Sequence, residues 1–418
     1  MKIKNLLKNI VFNNIKWLAV AQFGGSLIPF ILIPFLKEKF ESEYFNSIFL
    51  LDSIGVFYFI LCEYGINVTS SRDIAANKED LDSVKKIINK SFSTKFILNI
   101  FFFSVFFIII PNTTLLFNLN IPNPIIIFTI VIFKSMIDSF IPNWYFNGME
   151  DLKFFVIFNL KLRFCSMFLN LFLLSQNLLS LELYFSVNLA SSIIILIYSI
   201  NRIYQSNLFL KPNLSNNYLK ENISYFGIRF FSSLYMSFVP ILVSYVVSIN
   251  VSTFYSSIDK VIRLVNKFIS PISDGFYPRL SSLKGTNDIS FYKYKKYAFF
   301  SLFGLGIIFS IGLILFFPLI DRFFLANYIG DDKIYSFFLY ALLPILLSVS
   351  TYVTHLILNL SRKGFLLFIS ILLGSLTFVL SMLFLAQEYG LLGVCLSVLF
   401  AECSIIISSY ILSKKKLN

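Results

Sequence analysis

The sequence predicts an all-α polytopic membrane protein of about twelve transmembrane helices. Three observations carry the prediction. Hydrophobic residues make up 57% of the 418 residues and charged ones 14%, against about 25% charged in soluble proteins, and the mean hydropathy is +0.78. The apolar residues lie in runs of roughly 20, the length a helix needs to cross a hydrocarbon core of about 30 Å. Most Lys and Arg fall between those runs, chiefly on one side of the implied membrane.

The first span, 15–36, follows Lys2, Lys4 and Lys8 and carries Pro29. Its apolar run from Trp17 to Leu36 meets no small-residue cleavage site, so it reads as a retained helix and not a secretory signal. The second, 45–65, contains Asp52 and leads into a polar stretch at 67–95. The third covers 96–117. The fourth, 122–146, holds Lys134 and Asp138 and ends on Trp144, Tyr145 and Phe146, residues suited to anchoring a helix at the membrane interface. The fifth, 154–175, contains Lys161 and Arg163, and the sixth, 178–200, precedes a polar linker at 202–221. Arg229 and Pro240 lie in the seventh, 223–248, and Asp259, Lys260, Arg263 and Lys267 in the eighth, 253–276. A polar stretch at 277–296 separates these from the ninth, 297–320. The tenth, 334–358, holds the single His355; the eleventh and twelfth, 364–386 and 390–412, complete the set, with Glu402 in the last.

The net charge of +13 would suggest nucleic acid if the chain were soluble. Sorting the 35 Lys and Arg against the spans removes that inference. Segments on the side of the N-terminus hold 23, the opposite loops hold 4 (Lys37, Lys39, Arg322 and Lys333), and 8 lie within or at the edges of spans. The positive-inside rule therefore places both termini in the cytoplasm, and no nucleic-acid surface is needed. Cys62, Cys165, Cys395 and Cys403 lie in or beside apolar runs with no Cys-x-x-Cys spacing, which indicates neither a disulfide framework nor a metal site. No nucleophile and base are arranged with His355, and no Gly-rich phosphate loop is present, so neither an enzyme nor a cofactor is predicted.

A weak internal repeat divides the chain. Ser26–Leu32 (SLIPFIL) in the first span reads like Ser237–Val243 (SFVPILV) in the seventh, and the same offset of 211 relates Tyr44 to Tyr255. Two six-helix lobes follow, 1–210 and 211–418. Proline removes a backbone hydrogen bond and bends a helix, and irregularities at matched positions of two halves point to a transport pathway.

Charges at depth are the candidate functional residues, because each costs at least about 2.5–3.5 kcal/mol on insertion scales unless it meets a partner or a wet cavity. Lys260, Arg263 and Lys267 share one face of the eighth helix, with Asp259 one turn before Arg263. Lys134 and Asp138 are spaced for an ion pair within the fourth, Arg229 sits near the start of the seventh, and Asp52 and Glu402 add carboxylates. Two accounts fit: interhelical ion pairs that fix the bundle, or a hydrated cavity with excess positive charge, suited to a phosphate or pyrophosphate group. On the cavity account, Lys134, Arg229, Lys260, Arg263 and Lys267 are substrate-binding candidates, and Asp52, Asp138, Asp259 and Glu402 are coupling or ion-pair candidates.

Four stretches resemble the Wzx-type O-antigen flippases, polysaccharide transporters of the multidrug/oligosaccharidyl-lipid/polysaccharide exporter (MOP) superfamily. They are Glu63–Ala75 (EYGINVTSSRDIA), Pro142–Glu150 (PNWYFNGME), Phe254–Val261 (FYSSIDKV) and Ser270–Ser281 (SPISDGFYPRLS). Pro142–Glu150 is similar to the family's Pro-x-Trp-Phe-Gln-Gly-x-Glu, with Asn147 in place of Gln. Phe254–Val261 resembles its Tyr-Tyr-Ser-Ala-x-Glu-Lys-Ile, with Asp259 in place of Glu. Arg72, within Glu63–Ala75, joins the substrate-binding candidates. The resemblance covers residues 1–285 and is only hydropathic beyond about 300. It implies lobes around a central cavity that opens to one membrane face at a time. The implied cargo is an undecaprenyl-pyrophosphate-linked oligosaccharide, an intermediate of O-antigen and lipopolysaccharide biosynthesis, moved across the bacterial inner membrane. Other polysaccharide-assembly proteins are the implied partners. A multidrug exporter of the same superfamily should instead favour an acidic cavity. A membrane O-antigen polymerase or ligase should carry a large outer loop with Arg or His, whereas the outer loops here are short.

Overall fold

The computed structural model of the chain describes residues 2–109, 121–205, 216–267, 288–325, 332–358 and 364–414, together with 269, 272, 273, 276 and 280. Among the described residues there is no strand, and nine helices are long and apolar enough to cross a membrane. The protein is an all-α, multi-pass membrane protein. Each of the twelve expected spans overlaps helix, and the chain divides into two compact units, Met1–Phe230 and Phe231–Asn418. The expected boundary at 210/211 lies outside the described residues.

The first unit contains α1 (Lys2–Lys39), α2 (Ser42–Glu63), α3 (Ile66–Ala76), α4 (Leu81–Ile109), α5 (Pro124–Phe140), α6 (Asn143–Gly148), α7 (Leu152–Ser175), α8 (Leu181–Gln205) and most of α9 (Asn216–Leu234). Helix α4 starts well before the expected 96, because Asp80 provides its N-cap: Oδ1 accepts from the backbone N–H groups of Asp82 and Ser83 at 3.1 and 3.2 Å, and Oδ2 from Ser83 Oγ at 2.6 Å. Ser83, followed by the other donors, holds the Asp80 carboxyl below its ordinary pKa. Lys85, Lys86, Lys90 and Lys95, expected in a cytoplasmic loop, are therefore helical.

The fourth span is in two pieces. Pro142 disfavours helical backbone at Ile141, whose ψ is 119°, and the chain turns into the short α6. Trp144, Tyr145 and Phe146 consequently face the interior, 1%, 5% and 4% exposed, within a core that includes Ile74, Ile88 and Phe155. This corrects their expected place at the membrane interface. Gly148 permits the close approach of α6 to α3: a Cβ there would lie 2.8 Å from Ile74 Cβ and from the Ser71 carbonyl oxygen.

The second unit continues through α10 (Val239–Val246), α11 (Ile249–Asn266), α12 (Asp288–Leu315), α13 (Phe317–Phe323), α14 (Lys333–Tyr340), α15 (Leu343–Thr351), a π-helical turn at Tyr352–Leu358, and α16 (Gly364–Lys414). The two repeat prolines differ in effect. Helix α1 runs through Pro29, whereas the seventh span breaks after Leu234 and restarts with Pro240 in the first turn of α10. The eleventh and twelfth spans are one run of helix interrupted at Gly390 (φ 54°, ψ −126°), a conformation that side chains with a Cβ rarely adopt. Asp332 Oδ2 accepts from Leu392 N just beyond the break at 3.3 Å.

The two units share a packing plan. In the first, α1 packs on α2, and α2 and α4 both pack on α5; in the second, α10 packs on α11, and α11 and α12 both pack on α15.

Candidate functional site

In the first unit the charged side chains converge around Asp138. Lys134 Nζ, one turn earlier on α5, donates to Asp138 Oδ2 at 3.1 Å. Arg163 Nη2 of α7 lies 3.7 Å from Oδ1, which also accepts from Ser192 Oγ of α8 at 2.8 Å. Three helices thus meet at one carboxylate held between two cations. The packing of α5 and α7 on α8 brings Arg163 into the group, a juxtaposition that spacing along a single helix cannot disclose. Asp52 of α2 joins Lys134, Asp138 and Arg163 in lining a cavity of about 360 Å³.

Arg163 also borders a larger cavity of about 550 Å³ in the same unit, with Asn143 and Asn159 common to both. The polar wall of this larger cavity adds Asn67 and Ser71 from α3, Asn147 from α6 and Arg229 from α9; its apolar wall includes Trp144, Phe155 and Leu160. Arg229 Nε stands 3.8 Å from Oε2 of Glu63, whose side chain is fully buried. Glu63 Oε1 accepts from the backbone N–H of Asn67 at 2.8 Å, so the carboxylate that ends α2 also holds the first turn of α3.

Lys95 was missed as a site residue in the sequence, where its position beside a basic, polar stretch sorted it with the loops. Its side chain is fully buried. Nζ donates to Asn67 Oδ1 at 2.9 Å and to the Ser139 carbonyl at 2.7 Å, and lies over the Trp144 ring at 5.8 Å from its centroid. Asn99, one turn later, donates to Ser139 Oγ at 2.9 Å. The available signal was the spacing Lys95, Asn99 on one helical face directly followed by an apolar run that only Ser104 interrupts.

In the second unit Asp259 Oδ2 accepts from Arg263 Nε at 2.6 Å and Oδ1 from Tyr340 Oη at 2.7 Å; Tyr340 and Tyr255 hydroxyls are 3.0 Å apart. Glu402, 3% exposed, lies near Ser350 and has Arg263 within electrostatic range. The basic stripe of the eighth span is therefore divided: Arg263 is committed to Asp259, while Lys260, and Lys267 just past the end of α11, are partly exposed. Arg72 lines neither cavity of the first unit. It donates to Asp73 Oδ1 through Nε and Nη2 at 3.0 and 2.9 Å and to Tyr225 Oη at 3.3 Å, and the Asp73 carboxylate raises its pKa. His355 Nδ1 and Ser273 Oγ are 2.8 Å apart. No cluster of three or more metal-ligating side chains occurs among the described residues.

Comparison with known proteins agrees with this architecture. The chain is 26% identical over 404 residues to a Shigella dysenteriae protein named "Putative O-antigen transporter", covering 94% of this chain and 98% of that one. A protein of the same name from Escherichia coli strain K12 is 22% identical over 273 residues, 64% of each chain. Among solved structures, an inward-facing multidrug resistance MATE family transporter of the MOP superfamily superimposes with a TM-score of 0.74 at 13% identity, over 94% of both chains. The fold is that of the MATE transporters. The family model described as "Polysaccharide biosynthesis protein" matches residues 11–284, and the chain belongs to that family.

Proposed function

We propose that the protein is a flippase that moves undecaprenyl-pyrophosphate-linked O-antigen, or related polysaccharide, repeat units from the cytoplasmic to the periplasmic leaflet of the bacterial inner membrane. The observation that carries the proposal is the charge balance of the first unit. Lys134, Arg163 and Arg229 line the two adjoining cavities against the carboxylates of Asp138 and Asp52, three cations to two anions. A net positive, water-accessible lining suits a pyrophosphate headgroup, whereas a cationic drug would be repelled by it. Similarity to the Shigella relative over nearly the full length of both chains supports the same cargo class. Transport proceeds by alternating access of two six-helix halves, divided in the linker near residue 210. The hydrated headgroup passes along the cationic lining while the polyprenyl tail stays in lipid.

Deletion of the gene tests the proposal. Lipid-linked repeat units should accumulate on the cytoplasmic face of the membrane, as assayed by their accessibility in sealed vesicles of known orientation. Accumulation of unpolymerised units on the periplasmic face would overturn it, because translocation would then have occurred without the protein.

A further inference from the structure

We infer that the larger cavity of the first unit is a saccharide subsite whose wall carries hydrogen-bond donors fixed in direction by two cations, Arg163 within the wall and Lys95 behind it. The inference rests on the flippase proposal and adds to it the part of the cargo that this cavity recognises.

The argument starts from amide chemistry. An asparagine side chain carries one acceptor oxygen and one donor NH₂, and its orientation follows from its neighbours. Lysine and arginine can only donate. Lys95 Nζ donates to Asn67 Oδ1 at 2.9 Å, and Arg163 Nε donates to Asn159 Oδ1 at 2.7 Å. Both amide oxygens are therefore turned to the cations, which leaves the NH₂ groups of Asn67 and Asn159 to serve the cavity that both residues line. Trp144 lines the same cavity, is 1% exposed, and its indole Nε1, a donor without acceptor capacity, has no hydrogen-bond partner among the described residues. Its buried ring is backed by Lys95. Asn143, Asn147 and Ser71 extend the polar wall with groups that adapt to either role.

A wall of this kind selects a ligand rich in acceptor oxygens. Sugar hydroxyl, ring and acetamido carbonyl oxygens meet that description, and the apolar faces of Phe155 and Leu160 suit the C–H surfaces of a pyranose. The volume of about 550 Å³ falls within the roughly 300–1,000 Å³ typical of small-ligand pockets. Lys95 acts as a positioning residue, because its charge aims the Asn67 amide without touching the ligand.

The test compares binding of two probes to the full-length protein in nanodiscs: undecaprenyl pyrophosphate, and undecaprenyl pyrophosphate bearing one N-acetylhexosamine. Trp144 fluorescence in a Trp17→Phe background provides the readout. The sugar-bearing lipid should bind more tightly. Asn67→Asp and Asn159→Asp keep the oxygen that accepts from Lys95 or Arg163 and exchange the donor NH₂ for a second acceptor oxygen. Each should reduce the preference for the sugar-bearing lipid by about threefold to tenfold, the equivalent of one hydrogen bond. The added negative charge acts on both lipids alike and cancels in the ratio. Asn143→Ala offers a charge-neutral check in which the ratio should also fall. Equal binding of the two lipids by the unsubstituted protein, or an unchanged ratio in both aspartate variants, would overturn the subsite and leave the flippase proposal standing. Binding of neither lipid would overturn both.

Discussion

Lys95 illustrates how a single buried charge can organise its surroundings. A fully buried ammonium is tolerated only when its donors are used, and here they reach two elements, Asn67 of α3 and the Ser139 carbonyl near the end of α5. Lys95→Ala removes both bonds and leaves two oxygens without that donor. It should lower the unfolding free energy in detergent by about 2–4 kcal/mol, following the usual cost of unsatisfied buried polar groups, as measured by thermal or denaturant unfolding. Lys95→Arg keeps the charge but needs more room beside Trp144, so only partial recovery is expected. Of the candidates visible in the sequence, the Lys134–Asp138 and Asp259–Arg263 pairs were legible because both partners lie one turn apart on the same helix. Arg163 and Lys95 were not, since their partners come from other helices and only tertiary packing brings them together.

At the scale of elements, the resemblance motifs acquire physical content. The Pro142–Glu150 stretch makes a break, a short helix and a close contact: Pro142 ends α5, three aromatic residues fill the core, and Gly148 lets α6 sit against α3. Glu150 completes the arrangement by accepting from Lys78 at 2.8 Å. Gly148→Ala places a methyl 2.8 Å from Ile74 Cβ and from the Ser71 carbonyl oxygen, which should cost about 1–3 kcal/mol by overpacking. It should also shift the walls of the adjoining cavity. Lower thermal stability together with reduced O-antigen display on complementation would bear this out; wild-type behaviour in both would show that α3 and α6 can separate without consequence. Hydropathy located the spans well because lipid solvation requires about 20 apolar residues per crossing. It misjudged the start of α4, where a capping aspartate and amphipathic turns extend the helix beyond the apolar run. It also gave no sign of α3, which is too short and polar to register as a span.

For the whole molecule, the distribution of basic residues yields a topology. With 23 Lys and Arg on one side and 4 on the other, reporter fusions after Lys414 should be fluorescent as a cytoplasmic protein and inactive as a periplasmic phosphatase. A fusion in the loop at residue 39 should show the reverse. Opposite results at both positions would invert the orientation and with it the proposed direction of transport. The common packing plan of the two units was foreshadowed by the repeat of Ser26–Leu32 in Ser237–Val243, but their differences were not. The fourth span breaks only near its end, at Ile141 and Pro142, and carries Lys134 and Asp138 on a helix that is unbroken from Pro124 to Phe140. Its counterpart in the second unit, the tenth span, consists of α14, α15 and a π-helical turn. Helix breaks and π-turns exchange regular backbone hydrogen bonds for weaker or shifted ones, so bending is cheaper there than in a continuous helix. The duplicated plan thus becomes a division of labour, with a stiff, charged member in one half and a jointed, compliant one at the equivalent place in the other.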